Sequence, residues 1–178
     1  MRPAERRAKL MLREARADDL AAITRLERLP GYEACVGRSE EAEHRAMLAS
    51  PHYAYRLGVD KHDAAQAFAI LRDVRDPNGN LYVKRVVAAR PGMGVGTAFL
   101  SLVLEEAFGP MGAERVWLDC FADNARAHAA YAKLGFRREG VLVEAYRMPD
   151  GTRRDLVLMA LLKREWRAGP AVSDVSEI

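Results

Sequence analysis

The stretch from residue 81 to residue 108, LYVKRVVAARPGMGVGTAFLSLVLEEAF, decides the fold. It begins as an apolar, β-branched run, passes three alternate glycines and enters a helical pattern, so it reads as strand, turn and helix. Gly92, Gly94 and Gly96 let the backbone turn tightly and leave several N–H groups pointing outward. A helix following such a turn adds the positive end of its dipole, and the combination holds a phosphate or pyrophosphate. The same glycines would serve an ordinary tight strand-to-helix turn. Rival phosphate motifs fit less well, because no G-K-[ST] follows and the spacing departs from G-x-G-x-x-G.

Upstream, MLREAR reads as a strand, and Asp18-Asp19 is expected to cap a helix reaching about Arg28, with Leu20, Ile23, Leu26 and Glu27 on one face. Pro30-Gly31 ends it. Ser39 is expected to cap a second helix whose first turn carries Glu40 and Glu41, stopped by Ser50-Pro51. HYAYRLGVD and AAQAFAILRDVRD read as two antiparallel strands, and Pro77-Asn78-Gly79-Asn80 turns the chain into Leu81. Downstream, Pro110 and Gly112 break the helix and ERVWLDCF forms a short strand. Asp123-Asn124 opens a helix that Gly135 closes as a left-handed cap. REGVLVEAYRM and RRDLVLMALLKREW then make a hairpin around Pro149-Asp150-Gly151-Thr152. The order β, α, α, β, β, β, α, β, α, β, β predicts an α/β (mixed α+β) domain, with helices on both faces of a mixed sheet. Residues 1–167 are read as that single domain and residues 168–178 as a loose tail.

At 178 residues the chain can bury a core without staples of disulfide or metal. Its 28 basic and 25 acidic residues nearly cancel and are interspersed beyond the first ten positions, which speaks against a dedicated nucleic-acid binder. Cys35 and Cys120 belong to no C-x-x-C pair, and His44, His52, His62 and His128 share no ligand spacing, so no metal site is expected. No apolar run approaches the ~20 residues of a membrane helix. The Arg-rich start lacks the apolar centre of a secretory signal, and Glu5 argues against a transit peptide. A cytoplasmic setting without membrane partners is expected.

Two segments resemble the GCN5-related N-acetyltransferases. PGMGVGTAFL is similar to the family's acetyl-CoA-binding motif, Q/R-x-x-G-x-G/A between the fourth strand and a helix. DNARAHAAYAKLGFRREG is similar to its second signature, matched at Asn124, Ala127, Tyr131, Lys133, Gly135 and Phe136. The resemblance covers roughly Leu12 to Trp166 and looks closest to the branch of ribosomal-protein alanine and small-amine acetyltransferases. It implies a mostly antiparallel twisted sheet of about seven strands, splayed where acetyl-CoA binds. One position departs from the pattern: Pro91 stands where the family has Q or R, and Arg90 is displaced by one.

The cosubstrate implied is acetyl-CoA, with no metal. N–H groups of Met93, Gly94, Val95, Gly96 and Thr97 would meet the pyrophosphate, and the edge of Val86, Val87 and Ala88 would pair with the pantetheine amides. Arg126 and Lys133 are candidates for the 3′-phosphate. In the family an amine attacks the thioester directly in a ternary complex, and the expelled thiolate is protonated. Tyr131 is the candidate acid, since a thiol near ~8.5 and a phenol near ~10 are close enough to exchange a proton. Backbone donors near Val87 or Ala88 would meet the oxyanion. Asn124 caps its helix in any protein and acquires a role in cosubstrate binding only through the resemblance.

The acceptor is expected to be a primary amine, a protein N-terminal α-amine or a small molecule. A lysine side chain near ~10.4 costs about 4.6 kcal/mol to deprotonate at pH 7, whereas an α-amine near ~7.8 costs about 1.1 kcal/mol. Lys84 and Arg85 stand on the fourth strand where many relatives keep a glutamate, which favours the amine needing less help. Glu33 and Glu144 are candidate bases, with a water chain as the alternative. Leu29, Tyr32, Glu33, Tyr146 and Arg147 are the candidate acceptor residues, on the first interhelical loop and the last hairpin. Dimerisation is common in the family the segments resemble, and nothing in this sequence decides for or against a homodimer. The alternative function is a coenzyme A-binding regulatory or interaction module with little or no turnover.

Overall fold

The computed structural model describes residues 10–167. Strands β1 (Met11–Glu14), β2 (Tyr53–Val59), β3 (Ala65–Arg72), β4 (Asn80–Ala88), β5 (Arg115–Phe121), β6 (Arg137–Arg147) and β7 (Arg153–Leu162) form one seven-stranded sheet in the order β1-β2-β3-β4-β5-β7-β6. The helices are α1 (Leu20–Glu27), α2 (Glu41–Leu48), α3 (Val95–Phe108) and α4 (Ala125–Lys133). Every neighbouring pair is antiparallel except β4 and β5, which α3 joins as a crossover. The expected mixed sheet is therefore the one formed. The expected tail, residues 168–178, lies outside the described residues. No helix among the described residues is long and apolar enough to cross a membrane.

Strand alternation assigns the two faces of the sheet. Ala67, Ala69 and Leu71 of β3 pack with Phe99, Leu100, Val103 and Leu104 of α3. Phe68 and Ile70, between them, pack with Leu20, Ile23 and Leu26 of α1. Among the described residues β6 is an edge strand paired with β7 alone, and it is exposed almost throughout, so its alternation does not mark a buried face.

Two expected caps are displaced, each because its side chain or backbone is used elsewhere. The Asp19 carboxylate accepts the Arg16 N–H at 2.7 Å and two Arg13 bonds at 2.8 and 2.9 Å, closing a 3-10 turn ahead of α1 rather than capping α1. Glu40, not Ser39, is the N-cap of α2, and its N–H donates to Glu43 at 2.9 Å. Ser39 is drawn into a buried cluster, where its N–H donates to Glu27 Oε2 at 3.1 Å.

The feature that positions the site is the short ladder between β4 and β5. It runs only from Asn80 to Tyr82 against Arg115 to Trp117. Beyond it, β4 bulges: Ile70 of β3 opposes Arg85 while the adjacent Leu71 opposes Val83, leaving Lys84 as the extra residue. A bulge bends the strand that carries it, and the two parallel strands part there.

Candidate active site

A cavity of about 480 Å³ occupies the parting of β4 and β5, the size class of small-molecule sites. Its lining draws on the α1–α2 loop, β4, the glycine turn, β5, α4 and β6.

At one end, Gly92 and Gly94 both stand at φ 79°, a conformation that a side chain resists and glycine adopts freely. Gly94 is the N-cap of the 14-residue α3, and its carbonyl accepts the Ala98 N–H at 3.0 Å. The N–H groups of Gly94, Val95, Gly96 and Thr97 consequently have no protein acceptor among the described residues, as expected of a first helical turn. Met93 differs, since its N–H bonds the Arg90 carbonyl at 3.4 Å. Pro91 lines the rim, whereas Arg90 is exposed and stands outside the lining. The cradle is made of backbone and helix dipole.

Along β4, backbone groups alternate between β3 and the open edge. Ala88 faces the open edge: its N–H donates to the Tyr32 hydroxyl at 3.1 Å, and that hydroxyl donates to the Ala88 carbonyl at 2.8 Å. Val86, two residues back, presents its groups to the same side, whereas those of Val87 turn toward Phe68 of β3. Edge pairing thus falls to Val86, with Ala88 already bridged to the α1–α2 loop by Tyr32.

Asn124 and Tyr131 enter from α4. Asn124 Oδ1 accepts the Ala127 N–H at 3.1 Å, and Gly135 at φ 96° ends the helix. Asn124, Ala127, Tyr131 and Leu134 recur at helical spacing and line one wall. The half-buried Tyr131 ring lies 5.9 Å from that of Phe136, and its hydroxyl has no protein partner among the described residues. Burial, reinforced by neighbouring Cys120 and Asp119, raises the phenol above its ordinary value, so it stays protonated at neutral pH. The Cys120 thiol is likewise pushed up to about 11 by burial and then by Asp119.

Asp119 is the one carboxylate among the described lining residues, and it accepts the Tyr82 hydroxyl at 2.7 Å. In ERVWLDCF it reads as the polar alternate of a strand, so it escapes notice until the splay turns it into the cavity. Glu33 and Glu144 are both outside the lining. Glu33 accepts the Gly31 N–H at 2.8 Å within its own loop, and Glu144 sits at φ 49° in the β6 bulge with its N–H on Asp155 at 2.7 Å. Tyr32 and Tyr146 line the cavity, and Leu29 and Arg147 do not. Arg126 lines it with its guanidinium 5.5 Å from the Tyr32 ring centre, while Lys133 is exposed and outside.

Behind β4 lies a buried polar cluster that periodicity only hints at. Glu27 is fully buried, and its Oε1 is paired with Arg85 Nη1. Its Oε2 accepts from His44 Nε2 at 3.2 Å and from the Ser39 N–H at 3.1 Å. With Nε2 donating, His44 Nδ1 accepts the Tyr55 hydroxyl at 2.9 Å. Burial alone would raise the Glu27 carboxyl, but the His44 bond, the Arg85 charge and the Ser39 N–H together hold it below the ordinary carboxylate range. A glutamate on the apolar stripe of α1 was the available signal. Among the described residues no group of His, Cys, Asp and Glu could hold a metal ion.

The model of the acetyltransferase (GNAT) family matches residues 18–136. The chain belongs to the GNAT family. Among curated GNAT-type relatives, it is similar to mycothiol acetyltransferase of Kineococcus radiotolerans, 38% identical over 61% of this chain and 35% of that one. It is also similar to the [ribosomal protein bS18]-alanine N-acetyltransferase of Haemophilus ducreyi, 29% identical over 59% of this chain and 71% of that one. The chain thus spans about a third of the mycothiol enzyme's length. Its fold matches the spermidine N-acetyltransferase of Vibrio cholerae in complex with CoA and spermine, with TM-score 0.77 and 19% identity over 88% of this chain and 96% of that one.

Proposed function

We propose that this GNAT protein is an acetyl-CoA-dependent N-acetyltransferase acting on a primary amine, a small molecule or a protein N-terminal α-amine. One observation carries the reading: Gly94, Gly96 and Thr97, whose N–H groups have no protein acceptor among the described residues, and Tyr131, whose hydroxyl has no partner among them, line the same cavity at the parting of β4 and β5. Acetyl-CoA, when bound, supplies a thioester to be attacked and a thiol to leave. Gly94, Val95, Gly96 and Thr97 would hold its pyrophosphate, and Val86 would pair with an amide of its arm. Tyr131 Oη holds the proton that the departing sulfur takes. Its raised value reduces the acidity available, but a thiolate forming in the same desolvated space is raised by the same cause.

Asp119 is the carboxylate placed to accept the amine's proton through water, with Tyr82 fixing its orientation. A lone, partly screened base suits an amine that is cheap to deprotonate, which favours α-amines over lysine side chains. Two free cysteines are consistent with a cytoplasmic setting. The test is incubation with acetyl-CoA and a panel of amines while free thiol is followed. Thiol release that depends on amine supports the reading. Tight binding of coenzyme A with no release under any acceptor would leave a binding module instead.

A further inference from the structure

Resting on that reading, we propose that the acceptor is a small amine carrying a carboxylate, and that Arg85, flanked by Tyr146, is the seat of that carboxylate. The side chain of Arg85 is 10% exposed, yet the residue lines the cavity. Its Nη1 is committed to Glu27 and, at 3.4 Å, to Ser39 Oγ, while Nη2 has no acceptor among the described residues. Nη2 points at the gap left by Gly37: a Cβ there would lie 2.9 Å from Nη2 and 3.7 Å from the Tyr146 hydroxyl. Two donors therefore converge on one opening in the cavity wall, and a carboxylate has the two oxygens to meet them.

Charge points the same way. Lys84, Arg85 and Arg126 line the cavity against the one lining carboxylate, Asp119. Lys84 is half-buried beside Arg85 on the same strand, so two basic side chains meet the cavity together. A polyamine would bring its positive groups against that wall, whereas an amino acid brings one anion to it. The buried Glu27 makes sense in this setting. A desolvated ion pair is a poor device for stability, but it fixes the plane of Arg85 so that one edge of the guanidinium remains for a ligand.

Three acceptors of one length test this, 4-aminobutyrate, 4-aminobutyramide and 1,4-diaminobutane, alongside alanine and alaninamide, with each KM expressed on the unprotonated amine so that basicity does not enter the ratio. In the intact enzyme the acids should show a KM at least about tenfold below their amides, the value of one charge-assisted pair, and the diamine should be poorest. The double variant Glu27→Gln, Arg85→Gln keeps the buried charge balanced and should erase the acid-to-amide ratio, while Arg85→Lys should keep part of it. Folding of each variant is checked by circular dichroism. Calorimetric binding of butyrate, which has no amine, to the coenzyme A complex should be seen in the wild type and lost in the double variant. Equal KM for acids and amides, or butyrate binding that survives the double change, overturns the proposal. If no amine releases thiol, the enzymatic reading fails, and butyrate binding still decides the role of Arg85.

Discussion

A single hydroxyl separates catalysis from packing at Tyr131. Removing it in Tyr131→Phe should lower kcat by about 10²–10⁴-fold, the usual contribution of a positioned acid, and leave the KM for acetyl-CoA little changed. Because the phenol is raised above its ordinary value of ~10, the acid form persists, and the rate should show no loss from its deprotonation below about pH 10. A turnover unchanged by the substitution would remove Tyr131 from the chemistry. Its position was legible because Asn124 and Gly135 frame α4 with a cap at each end, and both are local signals. Asp119 and Arg85 were not legible in this way. Each would take its proposed role from residues far away in sequence, Tyr82 and Glu27, whose pairing with them is a product of the finished sheet.

On the proposed function, the glycine turn divides its labour between folding and binding. Gly94 stands at φ 79°, so Gly94→Ala should cost about 1–2 kcal/mol of stability, read as a lower urea midpoint. Gly96 lies inside the first turn of α3, and its added Cβ would meet only Ala88 Cβ, at 3.6 Å. Gly96→Ala, which adds only that Cβ, should therefore leave the unfolding midpoint no lower and raise the KM for acetyl-CoA, by crowding the approach to the backbone donors. Equal affinity in that variant would show that the cradle lies elsewhere. The turn, its helix and the strand before it were all readable from residues 81–108. The caps of α1 and α2 were misread for a physical reason: Asp19 and Ser39 have tertiary partners, Arg13 and Glu27, that outcompete the helix ends they precede.

At the scale of the whole molecule, the Glu27 cluster ties α1, α2 and the sheet together, since His44 lies on α2, Tyr55 on β2 and Arg85 on β4. The carboxyl is held below its unfolded value of ~4.3, so its contribution to stability is present above that pH and is lost as pH falls through the lower folded value. Urea midpoints should accordingly fall more steeply below about pH 4 in the wild type than in Glu27→Gln, which should itself cost on the order of 3 kcal/mol at pH 7. Parallel pH profiles for the two proteins would refute the assignment. The mixed sheet with helices on both faces followed from element order alone. Its parting did not, because Lys84 shows as an extra residue only once Ile70 and Leu71 are in register.

The three-residue ladder between β4 and β5 also bears on acyl selectivity. Beyond Tyr82 and Trp117 no backbone bond joins the two strands, so spreading them slightly breaks no ladder. The backbone ladder therefore sets no width there, and the tie across the gap is the Tyr82 hydroxyl on Asp119. On the proposed function, discrimination between an acetyl group and a longer chain would fall to side chains that line the gap, such as Cys120, Tyr131 and Leu156, where one added methylene is felt directly.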